Sequence, residues 1–248
     1  MNLSLAILGI SLMPLVAPPL TAVAADAERS VREVRFDAGR SGTVLKGSIR
    51  GYHYVDHQLN AGAGQTLKAV LRGSNGANYF NILPPGSDAV AMFVGELGDN
   101  RFEGILPTEG VYTLRVFLMR SAARRNETSH YSLDVAITGK ALKPLPGSQD
   151  AKVAGTRYHA SAPIPCTLPY DAATRQCDAG VIRRGTDGTA TLEVRAKSFL
   201  RRVLFRQGKP VAGDAAQAMS ASRRGDVTEI RFGTEERFEI PDALVTGG

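Results

Sequence analysis

The chain has 248 residues, a formal net charge of +6, an ordinary hydrophobic fraction of 43% and no tryptophan. That length allows one or two domains with buried cores. Basic residues outnumber acidic ones only 13 to 12 over positions 25–139 and 14 to 11 over 156–248, so neither part carries the one-sided basic stripe of a nucleic-acid binder.

Leu3 to Ala25 is uncharged and mostly apolar, contains Pro14, Pro18 and Pro19, and carries Ala22-Val23-Ala24, a small-x-small cleavage pattern. The expectation is a secretory signal, residues 1–24, although no Lys or Arg precedes the apolar run. It places the protein in the periplasm or outside the cell, with a membrane reached only through this segment if it stays uncleaved.

The next part, 25–139, is punctuated by turns. Val31–Phe36 alternates apolar with charged residues and reads as an edge strand. Val44–Arg50 and Thr66–Arg72 follow, separated by the Ala61-Gly62-Ala63-Gly64-Gln65 turn. Asn78–Leu83 runs into Pro84-Pro85-Gly86, which ends it. Val90–Val94 is short and apolar, and Arg101–Leu106 leads to the turn Pro107-Thr108-Glu109-Gly110. Val111–Met119 then places Tyr112, Leu114, Val116 and Leu118 on one face. It ends in Arg120, Arg124 and Arg125, which read as a cationic loop held by a rigid strand. His130–Ile137 alternates cleanly. About eight short strands with no helical period predict an antiparallel β-sandwich.

Residues 140–155 are polar, with Pro144 and Pro146, and read as a linker. Residues 156–248 form a second, small β-rich domain: Ala179–Arg183, Thr189–Ala196, Arg202–Arg206, Val227–Phe232 and Arg237–Ile240 predict a sheet of five or six strands. Asp214–Ser222 fits a short helix or a loop. Cys166 and Cys177 are the only cysteines, and an even count in an exported chain favours a disulfide, which stabilises by about 3 kcal/mol at best. The competing reading, free thiols or half a metal site, lacks partner ligands at zinc-type spacing. The fold class is therefore all-β.

No catalytic constellation stands out. There is no nucleophile elbow and no phosphate loop. His53 and His57 are spaced as a metal pair would be on a helix, but their context is not helical, and exposed histidines are the simpler account. Glu96, Asp99, Glu103 and Glu109 read as a surface cluster. No enzyme activity, cofactor or metal is expected.

Several motifs do form a pattern: Gly51-Tyr52-His53-Tyr54, Ala63-Gly64-Gln65, Tyr79-Phe80 with Pro84-Pro85-Gly86, Gly110-Val111-Tyr112, Arg115-Val116, Arg120 with Ala123-Arg124, and Tyr131-Ser132-Leu133-Asp134-Val135. Over about 47–139 the chain resembles the bacterial periplasmic inhibitors of g-type (goose-type) lysozyme, which are β-sandwiches similar to the pre-peptidase C-terminal domain. The resemblance implies a contact surface built from Tyr52, Arg120, Arg124 and the position of Glu109, where the family carries a serine. A carboxylate there is expected to repel an acidic cleft. The implied partner is a g-type lysozyme. The alternative is a periplasmic module of the same fold that binds a cell-envelope protein or an envelope glycan and inhibits nothing. No function is implied for 156–248.

Overall fold

The computed structural model describes residues 28–247; the expected signal segment lies outside them. The first half holds nine strands: β1 (Arg29–Glu33), β2 (Gly42–Arg50), β3 (Tyr54–Ala61), β4 (Thr66–Gly73), β5 (Asn78–Leu83), β6 (Phe93–Val94), β7 (Arg101–Ile105), β8 (Gly110–Leu118) and β9 (Thr128–Thr138), with one helical turn, α1 (Arg120–Arg124), between the last two. They form two sheets, ordered β1-β3-β8-β5-β6 and β2-β9-β4-β7. The sheets enclose one core, in which Tyr112, Leu114, Val116, Phe80 and Leu133 are fully buried. The inward face read from the alternation of β8 is the face that packs.

Two details depart from expectation. β1 is an edge strand, but it pairs with β3 in parallel. β3 was hidden in the sequence because Asp56 and His57 interrupt its apolar pattern, yet both are buried. Asp56 accepts Arg115 Nε at 2.7 Å and Nη2 at 2.9 Å, and Arg29 Nε at 2.8 Å. A carboxylate enclosed by two guanidinium groups can lie in a sheet without an unpaired charge, and this one ties β1 to the centre of its sheet. His57 Nε2 lies 2.9 Å from Tyr131 Oη, so the expectation of exposed histidines fails at this position.

The second half holds eight strands rather than five or six: β10 (Ala160–Leu168), β11 (Asp171–Arg183), β12 (Ala190–Ala196), β13 (Phe199–Arg206), β14 (Lys209–Gly213), β15 (Met219–Arg224), β16 (Val227–Phe232) and β17 (Glu236–Pro241), then α2 (Asp242–Thr246). They form one antiparallel sheet, β14-β13-β12-β11-β10-β17-β16-β15, whose end strands approach one another, so it is nearly a closed barrel. Its own core includes Ile164, Leu192, Phe205, Phe232 and Phe238. Pro163 and Pro165 disguised β10 as a loop. The turn between β13 and β14 is Gln207-Gly208, both at positive φ, as a two-residue hairpin requires. Cys166 and Cys177 form the expected disulfide between neighbouring strands β10 and β11.

The two halves touch. The irregular segment after β9 is fastened to both: Leu142 N donates to Ala63 O at 2.9 Å, and Leu145 N to Arg183 O at 2.8 Å. Buried His159 holds the same segment, with Nε2 3.0 Å from Leu145 O, while its Nδ1 accepts Arg183 N. No helix of the described residues is long and apolar enough to cross a membrane.

Candidate functional site

The expected arginine loop is a helical turn. After Leu118 the chain leaves the sheet, and Ser121, Ala122 and Ala123 are small enough to coil against it. Ala122 and Ala123 are buried, so the segment read as a cationic loop also buries apolar surface against the sandwich. Ala123 N donates to Met119 O at 2.9 Å, and Asn126, at φ +55°, ends the turn with its own N–H on Ala123 O. Arg120 and Arg124 stand four residues apart, hence side by side on the outer surface of α1. Both are exposed. Among the described residues neither has an ion-pair partner, whereas Arg125 is engaged by Glu127 at 2.6 Å. Glu127 is fixed in turn by Asn75 Nδ2, and the bonds from Asn75 and Arg125 hold its carboxyl below the usual range.

Tyr52 belongs to the same end of the sandwich. It sits in the β2–β3 connection after Gly51, which has φ +57°. A side chain at 51 would meet Asn126 Oδ1 at 2.8 Å, so glycine is required for the connection to lie against the end of α1. Gly51 N donates to Glu127 O at 3.0 Å and Arg50 Nε to Asn126 O at 3.4 Å, so the two connections are stitched together. Tyr52 is left 45% exposed. Beside it opens a hollow of about 610 Å³ lined by Ser48, Arg50, His53, Asn126 and Thr128.

Glu109 does not join them. It precedes β8, whereas α1 follows it, and nine extended residues place the two on the order of 27 Å apart. Its carboxylate pairs with Arg184 of the C-terminal sheet. Arg184 is buried. Its Nε donates to Thr191 Oγ1 at 2.8 Å and its Nη1 to Leu142 O at 2.8 Å, and Thr191 Oγ1 donates to Pro107 O at 2.7 Å. Burial lowers the Arg184 pKa, and the Glu109 charge opposes that shift. Arg206 Nη2 adds a bond to Gly64 O at 3.0 Å. The end of the sandwich that carries Glu109 is therefore the end that receives the second half of the chain. Sequence reasoning missed this junction because its partners lie 75 residues apart.

Fold and site together define a class: a β-sandwich with one end docked on a second sheet and the other presenting two unpaired guanidinium groups beside an exposed tyrosine. No family model matches the chain. It is 32% identical over 120 residues to the inhibitor of g-type lysozyme of Escherichia coli K12, a match covering 48% of this chain and 88% of that protein. Among solved structures, the periplasmic inhibitor of g-type lysozyme of Aeromonas hydrophila is 38% identical, spans 45% of this chain and 98% of its own, and superimposes with a TM-score of 0.42. The corresponding Salmonella Typhimurium inhibitor is 29% identical over 44% and 97%, with a TM-score of 0.36. The chain belongs to the family of inhibitors of g-type lysozyme.

Proposed function

We propose that the protein inhibits a g-type lysozyme in the periplasm by inserting Arg120 and Arg124, flanked by Tyr52, into the enzyme's substrate cleft. The observation that carries this reading is the pair of exposed arginines on α1, held by buried Ala122 and Ala123 on a stiff frame and unpaired among the described residues. A glycan-cleaving cleft contains a catalytic carboxylic acid. Two pre-oriented guanidinium groups pair with such carboxylates through charge-assisted hydrogen bonds, and little entropy is lost because the turn is already formed. Tyr52 then fills a sugar subsite as an aromatic anchor. The inhibitor acts by occupancy and performs no chemistry. Residues 1–24 serve as the export signal, 25–139 as the inhibitory sandwich, 140–155 as the linker and 156–248 as an accessory domain.

The test is titration of the purified mature chain into a cell-wall lysis assay with a g-type lysozyme. Lysis should fall to a plateau near equimolar inhibitor. Undiminished lysis at large molar excess would rule the proposal out.

A further inference from the structure

A second site lies where the two halves face each other. A cleft of about 740 Å³ separates the Pro84–Val90 loop of the sandwich from β13 and the Pro169-Tyr170 turn of the C-terminal sheet. That volume is within the range of about 300–1,000 Å³ that holds small ligands. Two of the eight large apolar side chains left exposed among the described residues, Val90 at 60% and Tyr170 at 57%, line it from opposite walls. It is remote in sequence from Tyr52 and α1, and no part of the inhibitory reading uses it.

Both walls are built in advance. Ser87 Oγ donates to Val90 O at 2.8 Å and accepts Val90 N at 3.0 Å, and Arg115 Nη1 holds Asp88 O at 3.1 Å. Across the cleft, the Arg201 guanidinium lies over the rings of Phe199 and Phe232, 5.4 and 5.3 Å from their centroids. It also pairs with Glu236 through Nε at 2.8 Å and Nη2 at 2.6 Å. The Arg201 charge on the floor is thus matched within the protein, which disfavours an anionic ligand. The polar side chains left over are Asp88, Ser198 and Gln217. All three are exposed, and none has a side-chain hydrogen bond among the described residues. A carboxylate, a hydroxyl and a primary amide beside an exposed tyrosine ring match the chemistry of a sugar, whose ring faces are apolar and whose edges carry hydroxyls.

We propose that this interdomain cleft binds a short neutral oligosaccharide, with Tyr170 as the stacking platform and Asp88 and Gln217 as hydrogen-bonding groups. The pinned walls make it a preformed site rather than one assembled on binding. A protein that meets lysozyme at one end would in this way hold a glycan at its centre.

The experiment is calorimetric titration of the full mature chain with tetra-N-acetylchitotetraose as the probe, with amide NMR shifts to locate binding. Saturable binding at millimolar probe is expected, with shifts at Val90, Tyr170 and Gln217. Tyr170→Ala should weaken it at least about tenfold. Tyr170 stands exposed on a turn, so circular dichroism should show that variant folded; Gln217→Ala gives a second, smaller loss. Arg120→Ala with Arg124→Ala should leave binding unchanged, and Tyr170→Ala should leave lysozyme inhibition unchanged, which separates this site from the inhibitory one. Absence of saturable binding, or full binding by Tyr170→Ala, overturns the proposal.

Discussion

The two ends of β8 use the same side chain to opposite purposes. Beyond its C-terminal end, Arg120 and Arg124 stand in solvent on a single helical turn. Before its N-terminal end, Arg184 is enclosed, with Glu109, Thr191 Oγ1 and the Leu142 carbonyl around it. A guanidinium that is desolvated and already paired is structural, because breaking its bonds exposes an unmatched charge. One that is solvated and unpaired costs little to keep and is available to a partner. Exposure and pairing, not residue type, therefore separate the end of the sandwich proposed to meet lysozyme, here the working end, from its docking end.

The comparison can be broken by substitution. The largest effect on stability is expected at the docking end. Arg184→Ala empties the space of an enclosed side chain and takes the donors from Thr191 Oγ1 and the Leu142 carbonyl, so chemical unfolding should show a loss of about 3–5 kcal/mol, while lysozyme inhibition by the folded fraction stays as it was. The converse belongs to the other end. Arg120→Ala with Arg124→Ala should weaken inhibition by about 100-fold, roughly 2.7 kcal/mol of binding, with the unfolding midpoint unmoved. If the two variants exchanged phenotypes, the assignment of the ends would be wrong.

How much of this was legible beforehand follows the same division. The inward face of β8 was readable because Tyr112, Leu114, Val116 and Leu118 alternate without interruption. The exposure of Arg120 and Arg124 was readable because they immediately follow that strand. Their helical turn was not, since Arg-Ser-Ala-Ala-Arg is too short to show a period and alanine does not announce its own burial. β3 was obscured by Asp56 and His57, polar residues that are buried only because Arg115, Arg29 and Tyr131 reach them from distant parts of the chain. Local pattern cannot report a long-range partner. For the same reason Glu109 was grouped with Tyr52 and the arginines of α1, while its actual neighbour lay across the junction.

The frame between the two ends has its own signature. Burial, and secondarily the Arg32 charge, push His57 down to about 4 against the opposing pull of Asp56. The unfolded chain takes up that proton near pH 6.5, the folded chain only near pH 4. Stability from this group is therefore complete above pH 6.5 and declines as pH falls towards 4, by about 2 kcal/mol at pH 5. His57→Gln removes the titration while keeping a polar group opposite Tyr131 Oη. Denaturant unfolding at pH 7 and pH 5 should show a smaller difference in the variant than in the parent. An unchanged difference would mean that another group causes the decline and that His57 is not a buried neutral strut of the sandwich.

The smallest change tests the comparison most sharply, because it restores the residue expected at position 109 from the family resemblance. If Glu109 faced the lysozyme cleft, Glu109→Ser would relieve repulsion and strengthen inhibition. In this structure its carboxylate meets Arg184, with Arg157 3.9 Å away, at the end of β8 remote from Tyr52 and α1. The Glu109 side chain keeps 38% of its surface in water, so screening limits the worth of the pair and water can enter to solvate Arg184 when it is removed. The expected cost is therefore only about 1–2 kcal/mol of stability, with inhibition within about twofold of the parent. Tryptic cleavage after Lys140 and Lys152 should quicken as the junction loosens. The opposite result, sharper inhibition at unchanged stability, would put Glu109 at the working end and dissolve the distinction between the two.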